Sequence, residues 1–386
     1  MSIRLAFSRI SPHHKSPHLK NTSEKKMNLK SLLAAALLLL TPALAHAAPE
    51  LITPGAIWPD AQGNHIQAHG GGIIKVADTY YWYGEERART LDRSLRAVSC
   101  YASTDLVHWT FKKDILVMST YNDPAPSQTT TPITPRPKDL PGNGVVLERP
   151  KVYYSPTTKK YVLYMHLDSG NYGAAGVGTA ISDTPDGDFQ YLRFFRPLNH
   201  ESRDIGQFID DDGSNYLVFE DRPNGFHIAH LSDDCLTVDK DICLIPMHME
   251  GGALVHYQGL YYAIGSALTG WNANPNKFAT AKSLAGPWSE FKNIAPPNTN
   301  TYGSQSTMLL KVVGTKATTI IFMGDIWKPR TQFDSRYLWM PLEIGNGQLH
   351  LPQPRPWTLD IITGESIINE KAPPMTMPTN PSRNNR

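Results

Sequence analysis

One unit recurs five times along the chain, and nothing else in the sequence constrains the fold as tightly. A short aromatic or β-branched run is followed, after a variable loop, by a second run, a turn with Gly or Asp, and an outer strand often opening with Trp or Phe. The pairs are TYYWYGE (79–85) with SCYASTDLVHWTF (99–111), KYVLYMH (160–166) with GTAISDTPDGDFQYL (178–192), and NYLVFED (215–221) with FHIAHLSDDCLTVD (226–239). LYYAIGS (260–266) with KFATAKSLAGPWSEF (277–291) and TIIFMGD (319–325) with SRYLWMPLEIGNGQLHL (335–351) complete the set. No long stretch places apolar residues at helical spacing, so the fold class is all-β. Repeats of about 45–60 residues carrying four short strands predict the blades of a five-bladed β-propeller, because one such sheet cannot bury both faces alone whereas five arranged radially can. The competing reading is a β-sandwich with chance internal similarity. Trp109 and Trp288 recur at the outer-strand position and are expected in blade packing.

The segment 119–144 holds six prolines, which forbid a regular central strand, and is expected as a surface connection or cleft rim. The propeller is expected over 48–365, with 366–386 a flexible tail ending NPSRNNR.

The 386-residue chain has 37 Lys+Arg against 35 Asp+Glu, net +2. That mildly basic balance is local: residues 1–47 hold seven Lys/Arg and one acid, so the remainder is net −4. The same stretch has a positive region ending at Lys30, the apolar run Ser31–Leu40 and the small-residue site Ala45-His46-Ala47, the three parts of a secretory signal. Cleavage is expected after Ala47, with Met27 an alternative start. The apolar run is shorter than the roughly 20 residues a spanning helix needs. A secreted or periplasmic protein is expected, without nucleic-acid or membrane partner and as a monomer, since the body shows no Lys/Arg run or basic stripe.

Export makes the three cysteines relevant. Cys235 and Cys243 are close enough in sequence to bridge in an oxidising compartment; the alternative is two small buried hydrophobes, as expected for Cys100. The thiols lack the second Cys/His pair of a zinc site, and no metal or other cofactor is expected. His69 could approach an axial cation or water, but a satisfied structural histidine is the commoner case.

In a propeller the inner strands line the axial cavity. HIQAHGGGIIKV (65–76), VVLERPKVYY (145–154), SRDIGQFIDDDGSNYLVF (202–219), MEGGALVHYQGLYYAIGS (249–266) and TYGSQSTMLLKV (301–312) each place one polar residue just upstream of an inner strand. These are Gln67 or His69, Glu148, Asp204, Glu250 and Gln305. Carboxylates among Gly, Pro and apolar neighbours are candidates for raised pKa and catalysis; plain salt bridges are the competing reading for Glu148 and Asp204. Asp210, Asp211 and Asp212 read as turn formers, with Gly213 supplying positive φ.

On RDIGQFIDDDGSNYLVF, MEGGALVHYQGLYYAIGS and the repeated ASTDLVHW/AKSLAGPW turns, roughly 65–360 resembles glycoside hydrolase family 43, the five-bladed propeller glycosidases. QAHGGG stands where the family's usual general-base aspartate is expected. With ERPKVYY and GSQST, that departure resembles the exo-β-1,3-galactanase branch. The resemblance implies Glu250 as general acid, Asp204 as its pKa modulator, Glu148 as an active-site carboxylate holding the sugar and Gln305 at the water side. It also implies inverting, exo-acting release of galactose from β-1,3-galactan or arabinogalactan.

Inversion needs an acid and a water-activating group roughly 6.5–9.5 Å apart across the ring. A neutral amide is a poor base, so Gln305 would act as an imidic tautomer or position water, and Glu148 is the competing base. Tyr172, Trp271, Thr269, Glu85 and Asn224, all in or beside loops after blade strands, are candidates for sugar binding, with loop packing the bland alternative. An α-L-arabinofuranosidase or β-xylosidase of the same family, and a non-catalytic carbohydrate-binding propeller, are the alternative functions.

Overall fold

The structure, a computed structural model, describes residues 50–376 except 89 and 125–128. The secretory leader predicted over 1–47 lies outside the described residues. The described chain is all-β, with only short helical turns.

Five antiparallel meanders follow one another in sequence. The first runs His69–Val76, Thr79–Glu85, Leu95–Ser103, Thr110–Ser119, with the two-residue strand Ile133–Thr134 added in parallel at its edge. The second runs Val146–Ser155, Lys160–Asp168, Gly176–Ser182, Gln190–Phe195, and the third Ile205–Ile209, Asn215–Asp221, Gly225–Leu231, Val238–Ile245. Glu250–Tyr257, Leu260–Ser266, Lys277–Ala281 and Lys292–Asn293 make the fourth; Gln305–Val313, Thr318–Ile326 and Arg336–Pro341 make the fifth. The first strand of each meander lies against the first strand of the next, and that of the fifth lies against that of the first.

The fifth sheet has three strands rather than the expected four, because the end of 335–351, where the outer strand was expected, pairs with the residues just before it as a separate hairpin, Glu343–Gly345 with Gln348–His350. The segment 366–376, expected as flexible tail, begins in structure: Glu365–Ile368 pairs with Trp357–Asp360, which also pairs with Leu51–Ile52. Alternation in ESII and WTLD, with Trp357 fully buried against Trp339, supplies the reason.

Apolar clusters fill the spaces between neighbouring sheets. The largest spans residues of the first, fourth and fifth sheets, centred on Trp82, Trp109 and Trp339, with ring centroids 4.7–6.2 Å apart. Trp109 therefore packs as expected, and Trp288 is partly buried against the cluster around Phe226 and Ile245. Cys235 belongs to the cluster of Tyr153 and Phe219, Cys243 borders that of Phe226, and all three thiols are free. The two thiols serve different packing layers, so the bridge allowed by their spacing does not form.

Candidate active site

The inner strands share a local device. His69 pairs opposite Glu85, Glu148 opposite His166, Glu250 opposite Ser266 and Gln305 opposite Asp325, each within two residues of the end of the following strand. In the third sheet the equivalent pair is Asp204 and Glu220, joined by a 3.0 Å backbone hydrogen bond. A register irregularity follows His69, Glu148, Glu250 and Gln305 within the next three positions, as in a β-bulge that re-aims side chains, and after the first three of them the backbone turns left-handed. The residue after the first takes positive φ: Gly70 at 59°, Arg149 at 53° and Gly251 at 63°. Glycine accepts that conformation readily. Arg149 does so at a cost, and an arginine held there marks a position where the surroundings over-determine the backbone.

These residues surround a cavity of about 250 Å³ lined by Glu85, Glu148, Asp204, Glu220 and Glu250 with Arg149, Arg203 and Arg222, and by His166, Tyr172, Trp271, Gln305 and Trp327. Arg149 is its hub. Its guanidinium pairs with Asp204 at 2.8 Å, donates to the Ser306 carbonyl at 3.1 Å and to Gln305 Oε1, and its backbone N–H donates to Glu85 Oε1 at 3.0 Å.

Glu250 is nearly buried and accepts a 3.0 Å hydrogen bond from Gln305 Nε2. Burial, then the charges of Asp204 and Glu220, push its pKa up to about 8 against the opposing pull of Arg149 and Arg222. Asp204 is held beside it, its Oδ2 accepting the Gly251 N–H at 2.9 Å. Glu148 is the opposite case. Burial would raise it, but His166 at 3.3 Å, Arg87 at 3.7 Å and the Tyr172 hydroxyl at 2.9 Å hold its carboxyl below the usual range. His166 responds reciprocally: burial opposes its charge, yet contacts with Asp168 and Glu148 carry its pKa to about 9. One cavity therefore contains a carboxyl kept protonated near neutrality and a carboxylate kept ionised, the separation that acid and base work requires.

Gln305 is fully engaged. Its Oε1 accepts from Arg149 and from Trp327 Nε1 at 2.9 Å, and its Nε2 donates to Glu250 Oε1 and Ser266 Oγ, each at 3.0 Å. Two N–H donors aimed at the oxygen disfavour its protonation, which an imidic tautomer needs, and the nitrogen touches the Glu250 carboxyl instead of facing it across a ring.

The chain matches the family model for glycosyl hydrolases family 43 over residues 68–321. It belongs to that family. Among solved structures it is similar to an exo-β-1,3-galactanase from Phanerochaete chrysosporium determined with galactose, with 37% identity over 83% of this chain and 70% of that one and a TM-score of 0.72. It is also similar to an exo-β-1,3-galactanase from Clostridium thermocellum, with 34% identity over 82% of this chain and 68% of that one and a TM-score of 0.71. No curated protein sequence matches it. As a family 43 member the protein is a glycoside hydrolase.

Of the residues singled out from sequence, Glu250, Asp204, Glu148, Gln305, Tyr172, Trp271 and Glu85 line this cavity. Thr269 and Asn224 do not. The Thr269 hydroxyl donates to the Asn272 carbonyl and accepts from Asn274 Nδ2, and the Asn224 amide donates to Asp221 Oδ2 at 2.7 Å, so both brace their own loops. Gln67 is also elsewhere, its Nε2 donating to the Phe333 carbonyl, and His69 is buried beneath the site, stacked on Tyr337 and 3.4 Å from Asp325. Sequence reasoning missed Arg149, His166, Arg203, Glu220, Arg222 and Trp327. Looking at the ends of the second strands as well as the loops after them would have found His166, Glu220 and Trp327, each within two residues of such an end.

Proposed function

We propose that the protein is an exported, inverting exo-β-1,3-galactanase built as a five-bladed propeller, releasing galactose from the non-reducing end of β-1,3-galactan or arabinogalactan. The cyclic contact of the five inner strands supports the propeller, and the small-residue site ending at Ala47 supports export. No helix among the described residues is long and apolar enough to cross a membrane. A cavity of about 250 Å³ lies below the range of about 300–1,000 Å³ that encloses larger ligands, so it takes one terminal sugar. The galactanase activity of the two similar structures supports galactose as that sugar.

The single observation that carries the mechanism is the opposed tuning of Glu250 and Glu148. Glu250, protonated up to about pH 8, donates its proton to the leaving glycosidic oxygen. Asp204 and Glu220 raise its proton affinity, and the Gln305 amide aims the carboxyl. Glu148, held ionised, withdraws the proton from water on the opposite face, each of its oxygens retaining a free lone pair. Trp271 and Trp327, edge to face at 5.2 Å, offer an aromatic wall to the sugar's C–H surface. Gln305 is reassigned from the water side to the acid side, because its hydrogen bonds are spent and it adjoins Glu250.

The test compares Glu148→Gln with Gln305→Ala on β-1,3-galactan and on 2,4-dinitrophenyl β-galactoside, with products followed by NMR. Glu148→Gln is expected to lose about 10²–10⁴-fold in kcat, the range for a general base, and azide is expected to restore turnover of the activated substrate as α-galactosyl azide. Azide rescue of Gln305→Ala with none for Glu148→Gln would return the base role to Gln305. Turnover of aryl arabinoside or xyloside without galactoside turnover would overturn the substrate.

A further inference from the structure

A second cluster of ligating side chains lies outside the cavity. His200 follows the short turn Pro197–Asn199, Asp221 closes the strand Asn215–Asp221, and His227 lies on the next strand. His200 Nδ1 is 2.8 Å and His227 Nε2 3.2 Å from Asp221 Oδ2, and the two rings are 4.5 Å apart. The three ligand atoms lie within 4.8 Å of one another.

Three observations set this cluster apart from a surface network. His227 is buried, and its other nitrogen, Nδ1, lies 3.0 Å from Asp241 Oδ2. A neutral imidazole has one donor and one acceptor, so a ring facing carboxylates at both nitrogens must carry two protons or give one nitrogen to a cation. The ring is also locked, stacked on Phe219 at 4.6 Å with planes 7° apart. Finally, Asp221 Oδ1 is buried and without a hydrogen-bond partner among the described residues, although Asp221 is only 1% exposed. Buried carboxylate oxygens are ordinarily satisfied; here Oδ2 takes both imidazoles and the Asn224 amide at 2.7 Å, and the orphan Oδ1 of the same carboxylate leaves a lone pair for a cation.

We propose that His200, Asp221 and His227 form a binding site for a divalent transition metal of the zinc class. Two imidazole nitrogens and one carboxylate suit a borderline ion, and Asp241 on the far nitrogen of His227 is the carboxylate–histidine–metal arrangement that fixes ring and tautomer. The side chain of His200, 37% exposed, leaves an entry path and a position for water. The described residues contain one other candidate group, Asp210, Asp211 and His256. There the Lys311 ammonium already sits 2.7 Å from Asp211, and the Tyr261 hydroxyl donates to Asp210, so a cation's place is taken.

The site departs from the sequence expectation of no metal, and its position gives it a purpose. Leu198 and Asn199, just before His200, both hold positive φ, at 51° and 67°, which a bulky residue such as Leu198 keeps only when tied down. Three and four residues after His200 come Arg203 and Asp204, while Asp221 stands between Glu220 and Arg222. The ion clamps the segment bearing Asp204 to the strand end bearing Glu220, acting as a positioning element outside the reacting groups.

Untagged protein, dialysed against chelator, would be titrated with Zn²⁺ by calorimetry and followed by thermal unfolding. Expected are one equivalent bound and a Tm that rises with free zinc. His200→Gln, at a half-exposed position, should abolish both effects while remaining folded. Asp241→Asn should weaken binding about 10–100-fold, the usual effect of losing such a partner. His256→Gln should bind as the unmodified chain does. Absence of stoichiometric binding, unchanged binding in His200→Gln, or loss confined to His256→Gln would each overturn the site.

Discussion

Replacing Arg149 by Met removes the hub of the cavity while keeping much of its volume. The Arg149 and Asp204 side chains are 5% and 15% exposed and 2.8 Å apart, so the substitution strands a largely buried carboxylate. Breaking a buried pair by deleting one partner costs about 3–5 kcal/mol, and the partial exposure of Asp204 favours the lower end, about 3 kcal/mol. Three lost hydrogen bonds from the guanidinium, to Asp204, Ser306 and Gln305, act in the same direction.

The assay is equilibrium urea unfolding of the unmodified chain, Arg149→Met, Asp204→Asn and the double variant. If the cost is that of a stranded charge, adding Asp204→Asn to Arg149→Met should return about 2 kcal/mol or more, a coupling well above the additivity error of distant sites. Arg149 also opposes the rise of the Glu250 pKa, so any residual activity should persist to higher pH than normal. A single-variant cost below about 1 kcal/mol with no coupling in the cycle would refute the hub argument, because the buried charge would then be paired elsewhere.

Other expectations follow from the same geometry. With natural substrate, kcat/KM should fall as pH rises through about 8, as Glu250 loses its proton, and Glu220→Gln should move that limb to lower pH; a pH profile of each enzyme checks this. Gly251→Ala should destabilise by about 1–3 kcal/mol, since φ is 63° and a Cβ would lie 2.7 Å from the Ser306 carbonyl oxygen, measurable as a lower urea midpoint. Lys151 is fully buried beneath the cavity, and burial, then the charge of Arg149, lowers its pKa to about 7. Its folded form therefore resists protonation more than its unfolded form does. Stability should recover as pH rises above about 7 toward the ordinary lysine range, and in Lys151→Met the stability curve over that interval should be flatter.

The repeat was legible because each sheet spells its second strand as an aromatic or β-branched run, followed after a variable loop by a further strand and a turn with Gly or Asp. The candidate carboxylates were legible for the related reason that each opens an inner strand. What repeats along the chain repeats around the cavity, so Glu148, Asp204, Glu250 and Gln305 could be placed together without coordinates. Thr269 and Asn224 were misplaced because a polar residue in a loop after a strand satisfies that loop's own backbone as readily as it faces a ligand. The fifth sheet's missing strand turns on the Asn346–Gly347 turn, which closes a local hairpin in place of a long outer strand.

Arg149, and the contacts that Gln305 makes, were beyond sequence reading for a physical reason. Arg149 occupies the left-handed position that Gly70 and Gly251 fill in the first and fourth sheets, and its partners Asp204, Gln305 and Ser306 come from two other sheets, so its pairing depends on how sheets meet. Nothing within ERP distinguishes it from a surface salt bridge. Gln305 likewise has a chemistry set by its neighbours. An amide with open lone pairs could position water; the oxygen of this one already takes two N–H donors and its nitrogen serves Glu250, which is why the proposed mechanism gives it the orienting role. Residue type narrows a role to a few, and the hydrogen-bond partners choose among them. In the proposed mechanism those partners make Glu250 the acid, buttressed by an amide, and leave Glu148, beside His166, as the group for the water.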